Sequence, residues 1–265
     1  MKMRFLTLPI SILRACSVIA ALYVALSTAG CAATAIGKLS PEIPAMHSVS
    51  DFSDDERIAR IADPWERFNR SIYNFNYRFD RYIYLPVVSG YEFITPTFVQ
   101  KGVSNVFSNI GEVRTLYNSF FQLKGKKFMI TFGRLLTNST IGIGGLLDPA
   151  TPLGLKKQGA DFGQSMGGWG VDSGPYLVVP VLGPNTLRST GGFAVDASIR
   201  FIAISAADPF GHSDNGDVIL GGISALEGID LRHREEFRYY ESGYPFEYDL
   251  VRFLTYERGE LMLTK

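Results

Sequence analysis

Trp65, Phe68, Ile72, Phe75, Phe79 and Tyr82 recur at steps of three and four, a spacing that commits this stretch to one apolar face of a helix. Asp63-Pro64-Trp65-Glu66 supplies its start: Asp caps, Pro tolerates the first turn, and Glu falls at the third helical position. Pro86 predicts the end. Arg67, Arg70, Arg78 and Arg81 fall on the opposite side, and Asn69, Tyr73 and Asn76 run along one edge of the apolar face. Amides beside bulky aromatics are costly to bury without partners. Two readings fit: a surface that meets both lipid headgroups and acyl chains, and a packed helix whose amides hydrogen-bond to neighbouring helices. The local pattern favours the second.

The same tension runs through the whole chain. Hydrophobic residues make up 46% and aromatics 13% of the sequence, and mean hydropathy is positive. Yet no stretch after Cys31 reaches the roughly 18 consecutive apolar residues that mark a spanning helix. Apolar without spanning points to elements that lie in or against a leaflet. A large aromatic core in a soluble domain is the other account, and composition does not separate the two.

The N-terminus is a targeting segment. Lys2, Arg4 and Arg14 precede an apolar core from Ala15 to Leu26, too short for a confident span, and small residues follow. Ala29-Gly30-Cys31 is similar to the lipobox of bacterial lipoproteins, with Thr28 where an aliphatic is usual. The expectation is a signal over 1–30, lipidation at Cys31, and, with Ala rather than Asp at position 32, sorting to the outer membrane. Ordinary cleavage beside an incidental cysteine is the alternative. Removal of 30 of the 265 residues leaves 235, enough for one large domain or a compact pair. The three basic residues lost from 26 leave 23 against 26 acidic, a net charge of −3. No basic excess exists to displace phosphate counterions, so nucleic acid is not an expected partner. Cys16 leaves with the signal, so no intrachain disulfide is expected. Residues 31–62, with Pro41, Pro44, several Ser and an acidic run from Asp51 to Glu56, read as a tether, and 63–265 as the folded domain.

Further helical stripes follow. Pro96 opens one with Val99, Val103, Val106 and Ile110. A second, Glu112 to Gln122, carries Val113, Leu116, Tyr117, Phe120 and Phe121. A third, Lys126 to Asn138, carries Phe128, Met129, Phe132, Leu135 and Leu136. Lys124, Lys126 and Lys127 flank the last two, the pattern of an interfacial helix and equally of a buried hairpin. From Ile141 to Arg188 glycine and proline dominate, predicting a tight irregular segment. Within it Tyr176 to Val181 is extended at most, because Pro180 makes a poor central strand. Asp196 to Ala207 is predicted helical. Another helix begins near Ile219 and runs past Phe237, and Pro245 opens the last, with Phe246, Leu250 and Phe253.

Catalytic patterns are sparse. Gly163-Gln164-Ser165-Met166-Gly167 matches the Gly-x-Ser-x-Gly nucleophile elbow, with Asp208 and His212 or His233 available downstream. An elbow needs an apolar strand before it, and Lys156 to Asp161 is polar; a lipolytic hydrolase using Ser165 is the rival reading. His47, His212 and His233 lack metal-ligand spacing, and Asp208, Asp214 and Asp217 lack that of a calcium loop, so no metal is expected. No phosphate-loop motif is present, and no cofactor is expected.

One stretch carries a family resemblance. Asp63-Pro64-Trp65-Glu66-Arg67-Phe68-Asn69-Arg70 with Tyr73-Asn74-Phe75-Asn76, then Gly170-Val171, Gly174-Pro175-Tyr176, Pro180, Gly183 and Arg188, resembles the MlaA (VacJ) family of outer-membrane lipoproteins, from about Asp63 to Leu261. The resemblance implies an all-α, disc-like single domain with an irregular Gly/Pro-rich segment and a central amphipathic channel, seated in one leaflet of the outer membrane. It implies a non-enzymatic protein that removes mislocalised phospholipids from the outer leaflet. A periplasmic lipid-carrier protein would return them to an ATP-driven MCE-type system of the inner membrane, and a porin trimer would be the outer-membrane partner. The channel-lining candidates are Asn69, Tyr73, Asn76 and Arg188. A purely structural porin-associated lipoprotein is the remaining alternative.

Overall fold

The computed structural model describes residues 63–209, 215–241 and 243–264. The signal, Cys31, the tether, His47, His212 and Asp214 lie outside the described residues. Helix α1 is Glu66–Phe79, and Glu66 N donates to Asp63 O where the helix was predicted to start. The predicted stop at Pro86 does not occur. The chain passes through one π-helical turn, Asp80–Tyr84, directly into α2, Leu85–Ile94, with Pro86 in its first turn. Proline objects to the hydrogen bond and the carbonyl one turn behind it; a wider turn at that point relieves both demands.

Extended Thr95 precedes Pro96, and α3 then runs unbroken over Thr97–Phe121. Two helices were expected here. Gly111 weakens a helix by about 1 kcal/mol without ending it. A turn at Leu123, φ 55°, leads into α4, Gly125–Thr140. The Gly/Pro-rich stretch is irregular up to α5, Phe162–Gly168, which Asp161 caps by accepting from Gln164 N at 2.8 Å. Then β1, Tyr176–Val179, and β2, Gly183–Thr186, pair antiparallel with Tyr176 opposite Thr186. Helix α6 is Leu187–Ala207, longer at its start than predicted because Thr186 and Ser189 form a capping box. Helix α7, Gly216–Arg234, stops before Phe237: Arg232 turns to the carbonyls of Glu235 and Phe237 and holds them out of the helix. Helix α8 is Glu247–Thr264.

The apolar core is small and mostly tyrosine: Tyr73, Tyr77, Tyr176, Val178, Tyr240, Tyr248 and Val251. Helices α5 and α6 meet backbone to backbone, since a Cβ on Gly192 would lie 2.1 Å from Gly163 N. Elsewhere the predicted stripes are present but turned outward. On α1, Asn69 and Asn76 are 0% and 2% exposed while Phe68 is 52% exposed. On α3, Gln100, Asn109, Glu112, Thr115 and Asn118 are buried, while Phe98, Ile110, Val113 and Phe120 are exposed. On α4, Thr131, Arg134 and Asn138 are buried and Met129, Phe132 and Leu136 exposed. This reverses the arrangement of a helix on a water-soluble core. Among the described residues no helix is long and apolar enough to cross a membrane.

Candidate functional site

Polar groups facing inward need partners, and most of those on α1, α3 and α4 find them in two frames, although Asn109 Oδ1, Glu112 Oε2 and Thr131 Oγ1 are buried without one. In the first, α1 lies along the free edge of β1. Asn69 Nδ2 donates to Tyr176 O (3.0 Å) and Asn69 Oδ1 accepts from Val178 N (2.9 Å). Two helical turns later, Asn76 Nδ2 donates to Val179 O (3.0 Å) and its Oδ1 accepts from Val181 N (2.8 Å). Seven helical residues rise about 10.5 Å, and three strand residues span about 10 Å, so the two amides match the strand's repeat. They occupy backbone groups that an unpaired strand edge would expose. The interhelical amide bonds expected from the sequence are therefore bonds from a helix to a strand.

Between the two amides sits Tyr73. Its hydroxyl donates to Glu247 Oε1 at 2.8 Å, and its ring meets Tyr239, Tyr240 and Tyr248 edge-on at centroid distances of 4.9, 5.5 and 5.6 Å. Glu247 also accepts from Tyr240 N. Burial and the facing Glu247 carboxylate push the Tyr73 hydroxyl pKa far above its usual range, so it stays a donor.

The second frame is ionic and was missed by the sequence reading. Arg134 on α4 is fully buried and pairs through Nε with Glu112 on α3 (2.7 Å) and through Nη2 with Asp148 (3.2 Å). Its Nη1 also donates to Leu155 O and Thr151 Oγ1. Asn138 donates to Asp148 and accepts from Ala150 N, folding the irregular segment onto α4. The signal was available: Thr131, Arg134 and Asn138 repeat with the same period as the apolar stripe they oppose. Farther along α3, Tyr117 and Asn118 both donate to Asp196 on α6, at 2.6 and 3.0 Å.

Two cavities open beside these frames. The larger, about 350 Å³, has a mixed wall in which Asn76, Asp80, Arg232 and Glu235 adjoin Phe79, Leu182, Phe237 and Leu254. Burial beside Asp80 pushes the Tyr239 phenol in this wall up to about 12. The smaller, about 240 Å³, is lined by Arg188, Asn185, Thr186 and Gln164 among others. Of the four lining candidates, Asn76 borders the larger cavity and Arg188 the smaller, while Asn69 and Tyr73 are wholly buried in the first frame. Arg188 donates to Val171 O (2.8 Å) and pairs with Glu260 at 3.3 Å.

The nucleophile-elbow geometry does not form around Ser165. This residue is wholly buried inside α5, and its hydroxyl donates to Asn118 Oδ1 at 2.9 Å. His233 pairs with Glu92 of α2 at 2.6 Å, and Asp208 caps the C-terminus of α6. The elbow motif here is a helix-packing sequence.

The MlaA lipoprotein family pattern matches residues 61–260, most of the chain and nearly all of the described part. This chain belongs to the MlaA lipoprotein family. Among relatives, an uncharacterized Rickettsia prowazekii protein is 36% identical over 154 residues, covering 58% of this chain and 60% of its own length. The intermembrane phospholipid transport system lipoprotein MlaA of Escherichia coli K12 is 37% identical over 139 residues, 51% of this chain and 55% of that protein. The matched stretches thus span about three fifths of these relatives' length. A solved structure described as the structural basis for maintenance of bacterial outer membrane lipid asymmetry superposes with a TM-score of 0.58 at 28% identity, covering 76% of this chain and 99% of the other. The mostly helical architecture, the hairpin included, is therefore the MlaA fold.

Proposed function

We propose that this MlaA-family chain is an outer-membrane lipoprotein that withdraws mislocalised phospholipids from the outer leaflet and passes them to a soluble periplasmic carrier for return to the inner membrane. Acylation of Cys31 holds it at the bilayer, a porin trimer is its neighbour there, and an ATP-driven MCE-type system receives the lipid. Transfer within this chain is passive: no bond of the lipid is made or broken.

The observation that carries this reading is the inversion. Phe, Leu and Ile face outward on α1, α3 and α4 while amides and ion pairs face inward. Exposed apolar area on this scale marks a surface that meets lipid or protein rather than water. A lipid leaving the bilayer exposes its chains at roughly 0.8 kcal/mol per CH₂. The larger cavity's wall, where Asn76 adjoins Phe79, Leu182 and Phe237, offers both kinds of contact at once, while the walls beside Arg188 are mostly polar. Asn69 and Tyr73 keep those walls in register.

The test is genetic and chemical. Deletion should raise phospholipid in the outer leaflet and sensitise cells to detergent, and Cys31→Ala should reproduce most of the defect. An intact barrier after deletion would sink the reading. A bulky substitution in the larger cavity, Leu182→Trp, separates conduit from scaffold: a conduit fails with porin association intact, whereas a scaffold works normally.

A further inference from the structure

Arg258, on α8, borders both cavities. The other guanidiniums there are already engaged. Arg232 grips Asp80 with two bonds of 2.6 and 2.7 Å and also donates to the carbonyls of Glu235 and Phe237. Arg188 is held by Val171 O and Glu260. Arg258, by contrast, is exposed and has no hydrogen-bond or ion-pair partner among the described residues. One turn before it on the same helix stand Leu254 and Thr255, and the larger cavity's wall continues through Phe79, Leu182 and Phe237. A free guanidinium fork over an apolar wall suits a ligand with an oxyanion at one end and hydrocarbon at the other.

We propose that the larger cavity binds the glycerophosphate and upper acyl chain of one phospholipid, with the phosphate on Arg258 at the junction of the two cavities. This rests on the transport reading above and adds a specific binding position to it. A volume of about 350 Å³ is near the low end of the roughly 300–1,000 Å³ of small-molecule sites. It takes a headgroup and the first methylenes, not two whole chains, so the lipid is held by its phosphate end while its tails stay outside. Because Arg258 lies on the surface, replacing it leaves the buried frames untouched.

The experiment titrates short-chain dihexanoyl phosphatidylglycerol into purified full-length lipoprotein in a nonionic detergent. Arg258→Gln should weaken binding about tenfold or more, the worth of a charged hydrogen bond. Arg258→Lys, which keeps the charge and loses the fork, should fall between. Dihexanoylglycerol, which lacks the phosphate, should bind both proteins equally and weakly. Equal phosphatidylglycerol affinity of wild type and Arg258→Gln overturns the assignment and leaves transport standing. Displacement of the lipid by inorganic phosphate at matched concentration also overturns it, and makes the site one for a free anion. A wild-type protein that binds no lipid removes both the site and the transport reading.

Discussion

The α1–hairpin–α8 region and the α3–α4 pair solve opposite problems with the same residue types. Around Tyr73 the interior is aromatic, with Asn69 and Asn76 fitted to the strand edge, Glu247 to a phenol and a backbone N–H, and the buried charges of Asp63, Asp249 and Arg252 paired at its margin. Between α3 and α4 the interior is ionic, built on Arg134, Glu112 and Asp148, and the aromatics are outside. The first region has an aromatic centre of its own, although α1 still turns Phe68 and Phe75 outward. The second has little apolar burial of its own, so it depends on its inward charges being paired, as Arg134 is with Glu112 and Asp148. The contrast teaches that a chain with apolar helical stripes can be held together by the other stripe, provided its exterior has somewhere apolar to lie.

The sharpest way to break that contrast is to remove one member of the ionic frame. Arg134→Met leaves Glu112 and Asp148 inside without their cation and should lower stability by about 3–5 kcal/mol. Adding Glu112→Leu should recover a good part of that loss, because an apolar replacement of the pair removes the uncompensated charge. Denaturant unfolding in detergent measures both. A single substitution that unfolds at the wild-type midpoint would show that the ionic frame is not what holds α3 to α4. In the aromatic region the matching test is Asn69→Ala, which strands Val178 N and Tyr176 O in a dry interior. Two unmatched groups at about 1–3 kcal/mol each predict a loss of about 2–6 kcal/mol. Asn69→Asp, which sets a buried carboxylate against Asp63 Oδ1 and Tyr176 O where the amide donated, should cost at least as much.

Much of this was legible in the sequence, and the misreadings share a cause. The periods of Trp65–Tyr82, Val99–Ile110 and Phe128–Leu136 located the helices, because spacing depends only on backbone geometry. The side each stripe faces is not a local property. The assumption that apolar means inward holds in water and reverses against lipid, so Thr131, Arg134 and Asn138 passed unnoticed opposite the stripe that drew attention. Pro86 misled for a different reason: it is a local breaker whose effect the tertiary context absorbed through a π turn. The stripes Val99–Ile110 and Val113–Phe121, read as two helices, are two stretches of one helix of 25 residues. The cavities were not legible, since Asn76, Leu182, Phe237 and Arg258 come together only through packing.

Acid should distinguish the two regions more gently. Burial alone would raise the pKa of Asp148, but hydrogen bonds from Thr151, Asn138 and Arg134 outweigh it and leave the carboxyl below its ordinary value. A depressed folded pKa contributes stability that is present above the unfolded value and is lost as pH falls through the folded one. Asp249, near the aromatic region, is shifted the other way: burial outweighs Arg70 and Arg252 and raises it. It therefore favours the folded state relatively more at acid pH. Local opening followed by hydrogen exchange between pH 5 and pH 3 should loosen α4 and the 148–155 segment before the α8 backbone around Asp249. The reverse order would mean that these carboxyls do not govern their regions.

The smallest effect on stability is expected at the outward face, and there the comparison with the aromatic core is most direct. Phe93 is 90% exposed and Phe98 is 78% exposed. In a protein whose exterior meets only water, serine at both positions is harmless and changes nothing else. Here the same double substitution should move the unfolding midpoint in detergent by no more than about 0.5 kcal/mol. It should nevertheless weaken association with phospholipid vesicles strongly, since each phenylalanine contributes about 1.5–3 kcal/mol when it leaves water for hydrocarbon. Val178→Ala, in the tyrosine cluster, is the control with the opposite signature: stability falls and vesicle association of the folded fraction is kept. If the Phe93→Ser/Phe98→Ser protein bound vesicles as well as wild type, the outward aromatics would not be a lipid-facing surface, and the division into an inverted region and an ordinary one would lose its physical basis.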